Sequence, residues 1–174
     1  SGVDKAAMYM LRDVDPNSTT KFNTSGLCGS PSENWAPKPS WFYTYTLKNR
    51  LARMTFDQEV PSGNQNIRIY KFSSAEDNLS AYALWCPTSN QTTVEDYEFS
   101  LSPEITQARL IELTDENING TESPLEITNG KVMLNISERP IFILAAPAGS
   151  TFPAMNSIVK LQLDNSMLVN ESGQ

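Results

Sequence analysis

The carboxylates of Asp13 and Asp15 are the first pair of side chains whose type and spacing could do chemistry, as a general acid and base. Alternate residues of a strand lie about 6.6 Å apart on the same face, so both groups would approach a bond from one side and could not easily flank it. Asp15 also opens the segment Asp15-Pro16-Asn17-Ser18, which consists of strong turn formers. We therefore interpret this segment as a turn and predict no catalytic residue in the chain.

Few other residues have the chemistry of a catalytic or metal site. The sequence contains no histidine, which is the commonest general base and zinc ligand. Cys28 and Cys86 cannot build a metal site alone, and they form either one disulfide across a long loop or two unpaired thiols. Glu95, Asp96 and Glu98 offer oxygen ligands of the kind calcium uses, but a solvated strand face is the simpler interpretation. We predict no cofactor and no metal.

The composition sets limits on the size and the partners of the protein. Its 174 residues suffice for one domain or for one domain and part of another, and 39% hydrophobic residues can supply a core. The net charge of −7, without any basic cluster, argues against nucleic acid as a partner. No apolar run approaches the roughly 18 residues of a membrane span. We therefore predict neither nucleic-acid binding nor a membrane span.

Seven Asn-x-Ser/Thr sequons bear on localisation. If they are glycosylated, they mark an exported surface, whereas an Asn-, Ser- and Thr-rich sequence could also contain them by chance. Both interpretations fit an extracytoplasmic protein, so we expect a secreted, periplasmic or cell-surface location. The sequons begin at Asn17, Asn23, Asn78, Asn90, Asn119, Asn135 and Asn170.

Residues 1–58 are predicted to form one strand, one long loop and one helix. The short apolar run at residues 6–11 is typical of a strand buried on both faces, and a loop rich in turn formers follows it. Pro39 and Ser40 mark the start of a helix. The helix residues that recur near helical spacing, and so predict its apolar face, are Trp41, Tyr45, Leu47 or its neighbour Lys48, Leu51 and Met54.

Residues 59–148 contain short strands separated by turns. Asn129-Gly130 is a two-residue hairpin signal. The pattern predicts a mainly β fold, in which an antiparallel β-sandwich follows the strand, loop and helix of residues 1–58. Residues 149–174 are assigned to an extra strand, at 157–164, or to a linker tail. The predicted sandwich strands cover residues 67–73, 79–86, 94–102, 108–114, 124–128, 131–137 and 140–146.

Two groups of motifs resemble a known family. The strand KAAMYMLRDVD, the loop FNTSGL and the helix PKPSWFYTYTLKNRL resemble the last β/α unit of clan A (β/α)8 glycoside hydrolases, where a GL segment and a KP-x-[WY] helix follow the eighth strand. The segments IYKFSSAEDNLSAYALWC and GKVMLNISERPIFILAA resemble the C-terminal β-sandwich that caps many of these enzymes. Together the motifs cover most of residues 5–147.

The resemblance implies the end of a barrel joined to a β-sandwich. The acid/base and the nucleophile of such enzymes usually lie at the ends of the fourth and seventh strands, which this sequence does not contain. Tyr9, Arg12 and Asp13 would lie at the mouth of the barrel, where Arg12 or Asp13 could hydrogen-bond a sugar hydroxyl. Trp35 could stack on a sugar face. The alternatives are an Arg12–Asp13 ion pair that braces the loop and packing of Trp35 against the helix.

Three functions fit these observations. The first is a non-catalytic C-terminal accessory domain of a carbohydrate-active enzyme, a glycoside hydrolase, that stabilises or flanks its catalytic barrel. The second is a stand-alone carbohydrate-binding sandwich, which exposed aromatic residues in a row would favour. The third is a surface adhesion or structural domain. The expected partner is a polysaccharide or oligosaccharide, reached through the parent enzyme, and the unpaired edge of a lone barrel strand could also make the chain dimerise.

Overall fold

The computed structural model describes residues 10–20 and 22–153, and strands dominate this part of the chain. Its sheets are antiparallel and a single α-helix precedes them there, which confirms the predicted mainly β, sandwich-like fold. The predicted strand at residues 6–11 lies mostly outside the described residues, and its last two residues, Met10 and Leu11, are not in a strand. The strand predicted at residues 157–164 lies outside them entirely.

The described strands are β1 (Thr55–Glu59), β2 (Arg68–Ser74), β3 (Leu79–Trp85), β4 (Val94–Ser100), β5 (Ile105–Glu112), β6 (Thr121–Leu125), β7 (Lys131–Ile136) and β8 (Ile141–Pro147). They form a large sheet of order β1-β2-β3-β8-β5-β6 and a small sheet of β4 and β7. The strands β2 to β8 correspond to the predicted ones, with shifted ends. The two sheets are the two layers that the sequence pattern predicts.

The first strand, β1, is the one that the sequence pattern misses. All its residues are exposed, and it pairs with β2 at the edge of the large sheet, with a bulge between Phe56 and Gln58. Because such an edge strand buries neither face, its sequence lacks the alternation that predicts a half-buried strand. It includes residues on both sides of the boundary predicted between residues 58 and 59.

The main core lies between the two sheets. Ile69, Leu84 and Ile143 of the large sheet are fully buried and share this layer with Phe99 and Leu134 of the small sheet. Full burial of such a side chain contributes about 1.5–3 kcal/mol, so this layer is the principal source of stability. A second, smaller cluster lies on the outer face of the large sheet.

The predicted turn at Asn129-Gly130 forms. Both residues have positive φ angles, 53° and 73°, as a two-residue hairpin turn requires, and Thr128 pairs with Lys131 across it. The strands on either side nevertheless belong to different sheets, because β6 pairs with β5 and β7 pairs with β4. The turn therefore carries the chain from one layer of the sandwich to the other.

The helix α1 (Pro39–Leu51) lies on the outer face of the large sheet. It begins with Pro39 at a position where the missing N–H is harmless, and Lys48 and Arg50 in its last turn suit the negative end of the helix dipole. Tyr43 and Leu51 pack against the outer cluster, which includes Ile111 and Phe142. The helix thus covers part of the sheet face that the small sheet does not.

Polar groups anchor α1 to the loop before β6. The guanidinium of Arg50 donates to the carbonyl oxygen of Asn119 from Nε at 3.1 Å and from Nη2 at 2.8 Å. Its Nη1 lies 2.6 Å from Glu122 Oε2. Gly120 has a φ of 65°, and a Cβ there would lie 2.4 Å from the carbonyl oxygen of Glu112. Glycine is therefore needed for the loop to hold Asn119 against the helix.

The helix turns only part of its predicted apolar face to the sheet, since Leu51 packs against the outer cluster as predicted but the two residues predicted for that face in the first two turns do not. Trp41 and Tyr45 are half-buried and belong to neither core cluster of the described residues, whereas Thr46 and Arg50 are buried. Trp41 precedes Arg50 by about two and a half turns at roughly 3.6 residues per turn, so the two side chains leave opposite sides of the helix. The prediction that Trp41 lies on the face that packs on the sheet is wrong, because Arg50 on the opposite side of the helix is held there by acceptors far away in the sequence.

Candidate functional site

The segment from residue 10 to residue 38 is built around the buried carboxylate of Asp13, which is only 2% exposed. Its Oδ1 accepts hydrogen bonds from the backbone N–H of Gly26 at 2.9 Å and from Lys38 Nζ at 2.8 Å. Lys38 Nζ also lies 2.6 Å from Oδ2 and donates to the carbonyl oxygen of Thr24 at 2.9 Å. The carboxylate therefore fastens the loop to the start of α1.

A close backbone approach supports this arrangement. The backbone N–H of Cys28 donates to the carbonyl oxygen of Leu11, and that of Asp13 donates to the carbonyl oxygen of Cys28, each at 2.9 Å. A Cβ at position 26 would lie 2.2 Å from the carbonyl carbon of Arg12. Only a glycine permits this contact, which gives a physical reason for Gly26 in the motif FNTSGL.

Arg12 and Trp35 form the exposed part of the segment. Trp35 is 48% exposed and has a positive φ of 58°, and its backbone N–H donates to the carbonyl oxygen of Ser30 at 3.1 Å. The guanidinium carbon of Arg12 lies 5.1 Å from the centroid of the Trp35 ring, within the range of a cation–π contact. A cation and an indole thus meet at the surface directly beside the buried Asp13.

Three of the four residues expected to contact sugar therefore lie in one segment, and the fourth, Tyr9, is outside the described residues. The ion-pair partner of Asp13 is Lys38, whereas Arg12 contacts Trp35. Asp15 forms the turn that its sequence predicts, since its Oδ1 accepts a hydrogen bond from the backbone N–H of Asn17 at 2.9 Å. The spacing of residues 12, 13 and 35 alone could not have predicted the role of Lys38.

The structure also shows where the other candidate catalytic and metal-ligating residues of the sequence lie. Cys28 and Cys86 are both free thiols, and burial raises the pKa of each. The carboxylate of Glu98 pairs with Lys131 across the small sheet at 2.7 Å. Within residues 10–20 and 22–153, no group of three or more Cys, Asp or Glu residues is arranged to hold a metal ion. No helix in this part of the chain is long and apolar enough to cross a membrane.

The ion pair of Asp13 predicts a dependence of stability on pH. The hydrogen bond from Lys38 lowers the pKa of Asp13; burial opposes this effect, and the N–H of Gly26 adds to it. A lowered pKa in the folded state stabilises the protein above the unfolded value of about 3.9, and this stabilisation disappears as the pH falls through the folded value. We expect Asp13→Asn to unfold more easily than the wild type at pH 7, with the difference shrinking progressively below about pH 4.

Thermal unfolding of both proteins between pH 2 and pH 7 measures this effect. Asp57→Asn is the matched control, because Asp57 also pairs with a lysine, Lys71 at 3.0 Å, but on the exposed edge strand. The control should differ less from the wild type, since exposed ion pairs contribute little. An Asp13→Asn difference that stays constant across this range would contradict the role assigned to the carboxylate.

A row of aromatic side chains on the large sheet is the feature that the sequence did not reveal. The ring of Phe56 in β1 lies edge-on to Tyr70 and Phe72 in β2, with centroids 5.6 and 5.8 Å away. Tyr70 in turn meets Trp85 of β3 at 4.9 Å. The missed strand β1 supplies Phe56, so the row could be found only once that strand and its register were known.

Comparisons with known proteins give likenesses to solved structures only. No family model matches the chain, and no curated protein matches its sequence. An endoxylanase of glycoside hydrolase family 30 from Clostridium papyrosolvens C71 is 12% identical over 71% of this chain and 30% of that chain, with a TM-score of 0.48. A family 30 subfamily 8 xylanase from Clostridium acetobutylicum is 12% identical over 75% of this chain and 32% of that chain, also with a TM-score of 0.48.

A third structure is an endoglucanase of glycoside hydrolase family 44 from Clostridium acetobutylicum ATCC 824. It is 15% identical over 47% of this chain and 17% of that chain, with a TM-score of 0.38. The chain spans less than a third of the length of each of these three structures.

Proposed function

We propose that this chain is a non-catalytic accessory region of a carbohydrate-active enzyme, a glycoside hydrolase, and that it stabilises or flanks the catalytic barrel. The order of the motifs that resemble a final β/α unit and a C-terminal sandwich supports the class. In this proposal the chain hydrolyses nothing alone, and its parent is secreted or displayed at the cell surface.

The two-sided helix α1 is the observation that carries the proposal. One side, with Thr46 and Arg50, is fixed to the large sheet, while Trp41 and Tyr45 on the other side stack with ring centroids 5.0 Å apart. Aromatic residues on the side of a helix away from its own sheet are typical of a helix that lies between two packed layers. The second layer, in this proposal, is the rest of the barrel.

The exposed apolar residues of the preceding segment support the same arrangement. Leu11, Val14 and Trp35 are all exposed, and Leu47 of α1 is exposed as well. In this proposal these side chains contact another protein unit, as contiguous exposed apolar surface does. Packing of a barrel against them would place Arg12 and Trp35 at the edge of its mouth, where they would contact sugar while Asp13 positions the loop.

Trp41→Glu tests the buried contact directly. In the natural full-length product we expect this change to lower the free energy of unfolding by about 3 kcal/mol, because it places a charge where an aromatic ring is buried. In the 174-residue chain the same residue is half-buried, so we expect a loss within about 1 kcal/mol. Urea unfolding of both proteins gives the two values.

Met133→Glu is the matched control, since Met133 is 52% exposed in the small sheet, far from α1. It should have a small effect in both proteins. Equal effects of Trp41→Glu in the short and the full-length protein would overturn the proposed packing. Hydrolysis of polysaccharide by the short chain would overturn its non-catalytic role.

A further inference from the structure

The aromatic row on β1, β2 and β3 is separate from the segment that carries Arg12 and Trp35. The register places Phe56 opposite Phe72, and Arg68 opposite Trp85, so these side chains share the outer face of the large sheet. The small sheet packs on the inner face, and α1 is anchored to the loop that leads into β6, at the other end of the strand order. Phe72 and Trp85 also pack against the outer cluster that α1 covers, so neither element accounts for the other part of the row, which includes the exposed ring of Phe56.

We propose that Phe56 and Tyr70, backed by the half-buried rings of Phe72 and Trp85, form a binding face for a neutral polysaccharide chain. Sugar rings present apolar faces of C–H groups to aromatic rings, and such contacts bury apolar surface on both partners. This site goes beyond the proposed function, because it gives the accessory region a glycan contact of its own. Its choice of ligand class rests on the proposed function.

The geometry favours a preorganised site. Each ring is held edge-on to a neighbour, with interplanar angles of 81°, 75° and 82°, and all four rings project from strands. Ligand binding then has little side-chain freedom to remove, which favours affinity. Phe56, at 54% exposed, is the ring most open to a ligand.

Polar groups at the same face supply hydrogen bonds for hydroxyl groups. Arg68 Nε lies 3.6 Å from Glu59 Oε1, and both side chains are about half-exposed. Glu59 lies opposite Tyr70 in the register, so the ion pair borders the row. A few polar groups beside aromatic rings are typical of small-ligand sites.

Size and charge distinguish this ligand from other partners. Phe56 is 54% exposed and the other three rings are half-buried, so at about 150–250 Å² per aromatic side chain the row leaves at most about 400 Å² of accessible surface. A stable protein interface needs about 800 Å² from each partner, so the row is too small for one. Stacked bases of nucleic acid require a positively charged groove, and the chain carries a net charge of −7.

Affinity electrophoresis and calorimetry with soluble arabinoxylan, mixed-linkage β-glucan and galactomannan test the proposal. We expect the 174-residue chain to bind at least one of them. Phe56→Ala should raise the dissociation constant about fivefold to tenfold, and Arg68→Ala should raise it less. Met133→Ala should leave it unchanged, because Met133 is an equally exposed apolar residue on the small sheet. A thermal melt of each variant establishes that it is folded.

Three results would overturn the proposal. The first is no binding of any of the three polysaccharides, and the second is binding that Trp35→Ala abolishes while Phe56→Ala has no effect. The third is a dimer in solution that Phe56→Ala dissociates, since the row would then be a self-contact. These outcomes are independent of the length of the natural product, so failure of this site and failure of the accessory role can be told apart.

Discussion

Replacing Arg50 by methionine is expected to lower the free energy of unfolding by about 3 kcal/mol. The side chain of Arg50 is 3% exposed, and it pairs with Glu122 and binds the carbonyl oxygen of Asn119 twice. Methionine fills a similar volume, but it donates no hydrogen bond to the carbonyl oxygen of Asn119. The partly buried carboxylate of Glu122 also loses one of its two cationic partners. Urea unfolding followed by circular dichroism measures the loss.

Arg109→Met is the matched control for this change. Arg109 binds the other oxygen of the same Glu122 carboxylate at 2.5 Å, but its side chain is 45% exposed. Burial raises the pKa of Glu122, and the hydrogen bonds from Arg50 and Arg109 outweigh it and lower that pKa. We expect Arg109→Met to remove less than about 1 kcal/mol, because exposed pairs are weak. Equal losses in the two variants would contradict the anchoring of α1 by a buried arginine.

Replacing Ile143 by alanine is expected to lower the free energy of unfolding by about 3–4 kcal/mol. Ile143 is fully buried in β8, a central strand, where it lies opposite Tyr82 on one side and Leu110 on the other. The change removes apolar burial and leaves a cavity in the layer between the sheets. Since domains of this size have about 5–15 kcal/mol of stability, the variant should be close to unfolding at 37 °C.

Met133→Ala provides the comparison for Ile143→Ala. Met133 is also apolar and lies in a strand, but it is 52% exposed, so its loss should change stability by less than about 0.5 kcal/mol. A loss below about 1 kcal/mol for Ile143→Ala would show that the two sheets do not pack as the structure has them.

The sequence predicts a strand of this fold well where its side chains alternate between buried and exposed positions, and poorly where they do not. Strands such as β7, whose residues alternate between exposed and buried, carry their pattern in the sequence. The exposed strand β1 carries no such pattern. Asn129-Gly130 predicts its own turn, but nothing local shows that β7 pairs with β4, since that choice depends on contacts between distant segments.

In the candidate site, too, local sequence motifs predict some features, whereas contacts between distant residues determine others. The motifs around Arg12, Gly26 and Trp35 indicate a surface segment. In the structure Arg12 lies next to both of the others: its backbone approaches Gly26, and its guanidinium contacts the ring of Trp35. The buried face of α1 was predicted only in part. Leu51 packs on the sheet as predicted, whereas Arg50 is buried because it binds acceptors about 70 residues later in the chain, which helical spacing cannot predict. The aromatic row likewise requires the register of β1 on β2.

The mass of the natural gene product, determined on the intact protein, tests the central claim most directly. An accessory region of a barrel enzyme predicts a product several hundred residues longer than 174, with the additional residues at its N-terminus. The side of α1 that carries Trp41 and Tyr45 would then have a barrel to pack against. A product of about 174 residues would contradict the account, and the aromatic row and the Arg12–Trp35 pair would remain as sites of an independent protein.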